Sequence, residues 1–182
     1  MKPVIVCEFR VDGHPETAGS KRAFVPTDKK TGQPYRDRGG RIIVNVVDDN
    51  PDSKAWKTRV ALHARQIWGA RPPLTAPLFV EFIFFRESPA SRYGTGKNAS
   101  VIKRSAPAFP GTRPDVLKLA RAVEDAITGV VWVDDSQIVD ERLSKRYGAR
   151  EGVLIRIGTL PVTIADAHGE SAGSLLASAG GN

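Results

Sequence analysis

Residues 78–85, LFVEFIFF, constrain the fold more than any other stretch of this sequence. One glutamate interrupts a run of apolar, aromatic and β-branched side chains, the strongest strand signal in the chain. Further strands are expected at 4–11 (VIVCEFRV), 42–47 (IIVNVV), 130–133 (VVWV), 138–147 and 153–157. Two stretches carry helical spacing instead. After the helix-start sequence Asn50-Pro51-Asp52-Ser53, the stripe Trp56, Val60, His63, Ala64 and Ile67 predicts an amphipathic helix over 54–68. Val116, Leu119, Ala120, Val123 and Ile127 predict a second helix over 115–128, with Pro114 before it and Gly129 ending it. This order of elements gives an α+β fold, a single compact domain whose mixed β-sheet carries two main helices. The domain is expected over 1–164, and the small, polar stretch 165–182 reads as a disordered tail.

A chain of 182 residues suits one such domain. Its net charge of +7 favours a polyanionic partner, nucleic acid before membrane. The positive charge is gathered at Lys21 and Arg22, in the YRDRGGR run at 35–41, and in a long loop over 86–113. That loop holds six basic residues (Arg86, Arg92, Lys97, Lys103, Arg104, Arg113) against the single acid Glu87. Such a loop suits phosphate contact or, equally, a solvated mobile segment. Cys7 is the single cysteine and reads as a small core residue, so no intrachain disulfide or cysteine-rich zinc site is expected. His63 has no His or Cys at ligand spacing and reads as structural. No apolar run reaches the roughly 18 residues that span a bilayer. The N-terminal MKPVIVCEFRVDG lacks the features of a signal peptide. A cytoplasmic protein with no membrane partner is expected.

Three acids stand out against this basic background: Asp115 at a helix start, and Asp134 with Asp135 directly after the apolar run VVWV. At an effective dielectric of 20, like charges about 4 Å apart repel by roughly 4 kcal/mol, so a positive partner is expected near the pair. Each acid also has a plain reading, Asp115 as an N-cap only and Asp134 and Asp135 as water-exposed turn residues. A 14-residue helix is about 21 Å long and a strand over 130–133 covers about 13 Å. If the two run antiparallel, a turn that supplies the difference lets the strand end meet the helix start. Carboxylates gathered in that way are hard oxygen ligands suited to Mg²⁺, which polarises a phosphate and activates water.

The run RPDVLKLARAVEDAITGVVWVDDSQIVDERLSKRYG (113–148) resembles the RusA family of Holliday-junction endonucleases. That family carries P-D-x-D-N/K-L-x-K/R-A-x-x-D-A-L-x-G, then an apolar strand and D-D-S/A-Q-V/I. More weakly, GSKRAF at 19–24 and the basic loop resemble phage-type members. The resemblance implies a RusA-like fold and a small homodimer that binds four-way or branched DNA and cuts it with Mg²⁺ or Mn²⁺. By position it implies catalytic roles for Asp115, Asp135 and Arg121, the last stabilising charge that develops on the phosphate. The implied metal ligands are Asp115 and Asp135, with Asp134 beside them. Lys145 matches a basic family position on the following strand. DNA contact is expected of Lys118, Lys145, Arg146, Lys21, Arg22, Lys103, Arg104 and Arg113. Asp125 also matches a family acid, but it lies roughly 15 Å along the helix from Asp115 and reads as structural.

The sequence departs from the family at Leu117, where a second metal-binding aspartate belongs. An aspartate there would face Arg121 one turn away; leucine neither binds metal nor holds an arginine. Glu124 is on the same side of the helix but about 10 Å further along, a poor substitute beside Asp115. Natural decay, an introduced change and compensation by another acid are all open. Two functions follow: a metal-dependent endonuclease that resolves Holliday junctions by paired phosphodiester hydrolysis, impaired at position 117, or a protein of the same fold that binds branched DNA without cutting it. A small-molecule phosphohydrolase is disfavoured by the basic charge and by the lack of a glycine-rich phosphate loop.

Overall fold

A computed structural model describes residues 2–19, 21–48 and 50–161. The predicted tail at 165–182 lies outside the described residues, as does Ser20 of the GSKRAF stretch. Strand β1 spans Val4–Asp12, β2 Lys21–Phe24, β3 Asn45–Asp48, β4 Leu78–Glu87, β5 Ile138–Gly148 and β6 Gly152–Thr159. Helix α1 spans Pro51–Trp68 and α2 spans Val116–Ile127. The main sheet has the order β1-β6-β4-β5; β6 is antiparallel to both neighbours, and β5 runs parallel to β4. The sheet is therefore mixed and the fold α+β. β2 and β3 form a separate two-stranded arm.

The apolar run of β4 is explained by its place inside the sheet. Leu78, Val80, Phe82 and Phe84 are fully buried on one face, where side chains of period 2 all point toward the helices. Register aligns three rows across that face: Cys7, Ile157, Val80 and Glu141; then Phe9, Ile155, Phe82 and Leu143; then Val11, Val153, Phe84 and Lys145. Two of the rows end in a charged residue of β5, the edge strand. On the other face Arg156 bridges Glu8 and Glu81 at 2.5 and 2.9 Å, a cross-strand charge ladder facing solvent.

Helix α1 begins three residues before the predicted start. Asn50 caps it, its side chain accepting from the Asp52 N–H at 3.1 Å, and Pro51 occupies the first turn, where its missing N–H costs nothing. Trp56, Val60, Ala64 and Trp68 bury the α1 stripe, and Leu119, Ala120, Val123 and Ile127 bury that of α2. Lys57 of α1 bonds Asp125 of α2 at 2.7 Å, so Asp125 has the structural role expected of it.

The strand expected at 130–133 does not form. Gly129, at φ 77°, turns the chain immediately after α2, and the Val130 and Val131 N–H groups bond back to the Ile127 carbonyl. Val131 and Trp132 are buried as the sequence suggested, but as a plug: Trp132 donates to Thr128 Oγ1 at 3.0 Å and makes isolated bridges to Thr128 and Leu74. A buried strand and a buried turn share one composition, and only the glycine separates them. The strand expected at 42–47 is shifted to 45–48, because Ile42 and Ile43 pair irregularly with Arg36 and Tyr35.

Candidate active site

The sequence Asp134-Asp135-Ser136-Gln137 divides its work between adjacent side chains. Asp134 caps a single 3₁₀ turn by accepting from the Ser136 N–H at 2.9 Å, and hydrogen bonds from the Ser136 hydroxyl and then from this N–H hold its carboxyl below the usual range. Gln137 closes the capping box, its Oε1 accepting from the N–H groups of Val133 and Asp134. The Gln137 amide also donates to the carbonyls of Leu74 and Ala76 at 2.9 and 3.1 Å, which pins the turn to the segment entering β4. Both aspartates are exposed, and Asp135 is the one that lines the hollow beside α2.

Asp135 shares a hollow of about 340 Å³ with Glu124 of α2 and Glu141 of β5. Burial first, then a hydrogen bond with Glu141 and the charges of Glu141, Asp135 and Asp125, together push the Glu124 carboxyl up to about 8. Like charges held this closely make a site short of a cation.

Asp135 is placed beside Glu124 and Glu141. The return path along α2 belongs to β5, which begins only at Ile138. Lys145, seven residues into that path, reaches the helix start: its Nζ donates to the carbonyls of Thr112 and Pro114 at 2.6 and 3.0 Å. Glu141 faces Glu124 instead. From Asp115 to Glu124 the helix rises roughly 13 Å, and from Glu141 to Lys145 the strand covers the same distance. Asp115 therefore sits at the N-terminal end of α2, and the hollow that Asp135 lines opens beside Glu124, nearer its C-terminal end.

Asp115 occupies the N-cap position, yet its side chain makes no capping bond, so the purely structural reading of this residue fails. Leu117 is 68% exposed. It shares one stripe of the helix with Arg121 and Glu124, and Arg121 is exposed and forms no ion pair among the described residues.

The residues expected to contact DNA fall into distinct settings. Lys118, Arg104, Arg113 and Arg22 are exposed; the side chain of Lys21 lies outside the described residues. Arg113 and Lys145 line a hollow of about 160 Å³ with Arg86. Lys145 spends its ammonium on the two carbonyls before Asp115, and Lys103 donates to the Ser91 carbonyl at 3.0 Å, so both order backbone. Arg146 lines another hollow, of about 520 Å³. The loop 86–113 is not structureless. It carries short 3₁₀ turns at Ala90–Arg92 and Gly96–Asn98, a Tyr93–Ile102 bridge, and a Gly94 N–H bond to the Val101 carbonyl.

Sequence reading passed over Glu141 and set Glu124 aside. The signal was present in β5: with Leu143 facing inward, period 2 puts Glu141 and Lys145 on the same inner face. Glu124 is distant from Asp115 along the helix, but its neighbours are Asp135 and Glu141.

Among the described residues no three His, Cys, Asp or Glu side chains enclose a metal ion. Mg²⁺ and Mn²⁺ do not demand an all-protein cage; one or two carboxylates with water and phosphate oxygens suffice for Mg²⁺. The hard oxygens of Asp135 and one neighbouring acid suit an ion held in that way, by few carboxylates and the rest by water and phosphate.

A family profile described as Endodeoxyribonuclease RusA matches residues 26–158, which take in α1, α2, β4, β5 and Asp115, Glu124, Asp134, Asp135 and Glu141. The Uncharacterized protein YqaN of Bacillus subtilis (strain 168) is 29% identical over 152 residues, covering 82% of this chain and 94% of that protein.

Proposed function

This chain belongs to the RusA endodeoxyribonuclease family of Holliday-junction resolvases, and we propose that it hydrolyses phosphodiester bonds of four-way or branched DNA with a divalent metal, Mg²⁺ or Mn²⁺. The observation that carries this reading is the convergence of Asp135, Glu124 and Glu141 on one hollow, with Glu124 pushed up to about 8 by burial and by its acidic neighbours. A bound cation supplies charge neutralisation and activation of water at the scissile phosphate. Asp135 and one of its acidic neighbours, Glu124 or Glu141, would hold it with water and phosphate oxygens. Arg121, one turn from Glu124 on the exposed side of α2, is placed to meet negative charge developing on the phosphate. Asp134 acts at one remove, fixing the turn that presents Asp135.

Asp115 keeps its catalytic assignment from the family motif, supported by a carboxylate free of any capping bond and by the Lys145 clamp on the backbone before it. Leu117 removes one acid from the α2 stripe, but Asp135 already has two acidic neighbours without it. Partial compensation by another acid is the favoured account of that departure, with cutting activity retained but reduced.

Exposed Phe24, Val25, Ile42, Val44 and Val46 give the β2–β3 arm and its flanks an apolar surface that suits burial against a second copy of this chain. A homodimer supplies the two sites that paired cuts across a two-fold junction require.

The test is a synthetic four-way junction incubated with the chain and Mg²⁺ or Mn²⁺. Paired nicks that disappear in Asp135→Asn support the proposal. Junction binding without nicks at any metal concentration would assign the chain to the non-cleaving alternative.

A further inference from the structure

The most unusual charge in the molecule lies outside the acid set. Arg92 is only 8% exposed. Its guanidinium stacks on the Tyr147 ring at 3.8 Å and donates to Ser88 Oγ at 2.6 Å, and its Nε has no hydrogen-bond partner. No carboxylate pairs with it among the described residues. A buried cation without a counter-ion is strongly unfavourable, and stacking on one ring offsets only part of that cost. The missing group is an anion.

Arg92 lines the hollow of about 520 Å³ noted above, within the roughly 300–1,000 Å³ range of small-ligand sites. Its walls add Arg146, Tyr93, Ile102 and Phe109. Phe109 is 62% exposed, so the core does not account for it. Cationic and flat apolar groups in one hollow match a nucleotide, with phosphate for the guanidinium groups and a base for the ring faces. Tyr147 also lines the smaller hollow of Arg86, Arg113 and Lys145, whose wall includes Pro114, the residue before Asp115. The two hollows therefore adjoin along a basic path that ends at a candidate catalytic acid.

We infer that the hollow between Arg92, Phe109, Arg146 and Tyr147 binds one unpaired nucleotide of the DNA substrate. The inference rests on the branched-DNA reading for the source of that nucleotide. A base stacked inside a duplex cannot enter such a hollow without being extruded, and extrusion costs least where the base is already unpaired. The hollow thus selects branch points over continuous duplex.

Fluorescence anisotropy without divalent metal tests this with three labelled probes: hexathymidylate, a four-way junction and a continuous duplex. Phe109→Ala is the main variant because the ring is exposed and its loss spares the core. Its affinity for hexathymidylate and for the junction is expected to fall roughly tenfold, while duplex affinity, governed by phosphate contacts, changes by less than about twofold. Phe109→Tyr restores binding. Equal losses on all three probes, or no loss on any, overturn the inference. Nicking assays on the same proteins separate the two levels. If the wild-type chain nicks junctions and Phe109→Ala binds every probe as well as it does, the nucleotide site is rejected and the nuclease reading stands. If the wild-type chain neither prefers nor nicks junctions, yet hexathymidylate binding depends on Phe109, the nucleotide site stands and the junction reading is rejected.

Discussion

The two ends of α2 are opposites. At its C-terminal end Glu124, Asp135 and Glu141 crowd into one acidic hollow; at its N-terminal end Arg86, Arg113 and Lys145 line a basic one. A single inner face of β5 serves both, delivering Glu141 to the first and Lys145 to the second with Leu143 between them. A helix macrodipole favours the reverse, acids near the N-terminus and cations near the C-terminus, by about 0.3–1 kcal/mol for each charge. The last turn of α2 has no basic residue and its first turn no acidic one. The acids at the C-terminal end, set against the dipole and against one another, do not stabilise the fold. The proposed cation at that end would account for their placement, as phosphate would for the basic hollow at the other.

That contrast can be broken from either side. The largest expected effect is Asp135→Asn, which should lower junction cleavage by at least about 100-fold, beyond the usual cost of altering a group that only supports a metal ligand. The adjacent Asp134→Asn should cost little, since asparagine caps as well as aspartate; the pair separates ligand from scaffold in one cleavage assay. Next, Leu117→Asp adds a carboxylate to the Arg121 stripe and is expected to raise cleavage by roughly tenfold. If this variant cuts no better than the parent, position 117 is not a vacant ligand site.

Glu124 connects the acidic end to stability. Its folded carboxyl is raised to about 8 from an ordinary 4.5, so between those values the folded state holds a proton that the unfolded chain has released. Stability contributed by that proton is full below about pH 4.5 and is lost as pH rises through about 8. Thermal melts in chelator should show the midpoint falling over that window. Glu124→Gln should flatten the profile, raise the midpoint at high pH and weaken cleavage together, a trade of activity for stability. An unchanged slope in Glu124→Gln would show that the crowding of charge is not felt.

The smallest effect belongs to the basic end. Lys145→Met releases the carbonyls of Thr112 and Pro114 and should cost about 1–3 kcal/mol in denaturant unfolding, with little change in the metal concentration needed for cutting.

Much of the scaffold was legible because apolar period and helix-start chemistry are local signals. β4, both helices, and the strands at 138 and 153 lie where those signals put them. The site was legible only in part. The acids Asp115 and Asp135 stand out in the sequence, but their separation depends on where the chain turns back. The turn at 130–133 has a strand's composition and only Gly129 to betray it. Glu141 is hidden in a polar strand until Leu143 fixes which side faces inward. Lys145 and Arg92 look like free surface cations, and their real settings, a carbonyl clamp and a buried stack, come from contacts more than thirty residues away in sequence. Charge that is spent internally cannot be told from charge offered to a ligand by composition alone.

The most direct test of the acidic hollow is anomalous diffraction from a crystal of the chain soaked in Mn²⁺. A peak between Glu124, Asp135 and Glu141, lost in Asp135→Asn, is the predicted result. A peak at Asp115 with the hollow beside Glu124 empty, or no ordered Mn²⁺ at either end of α2, would contradict it.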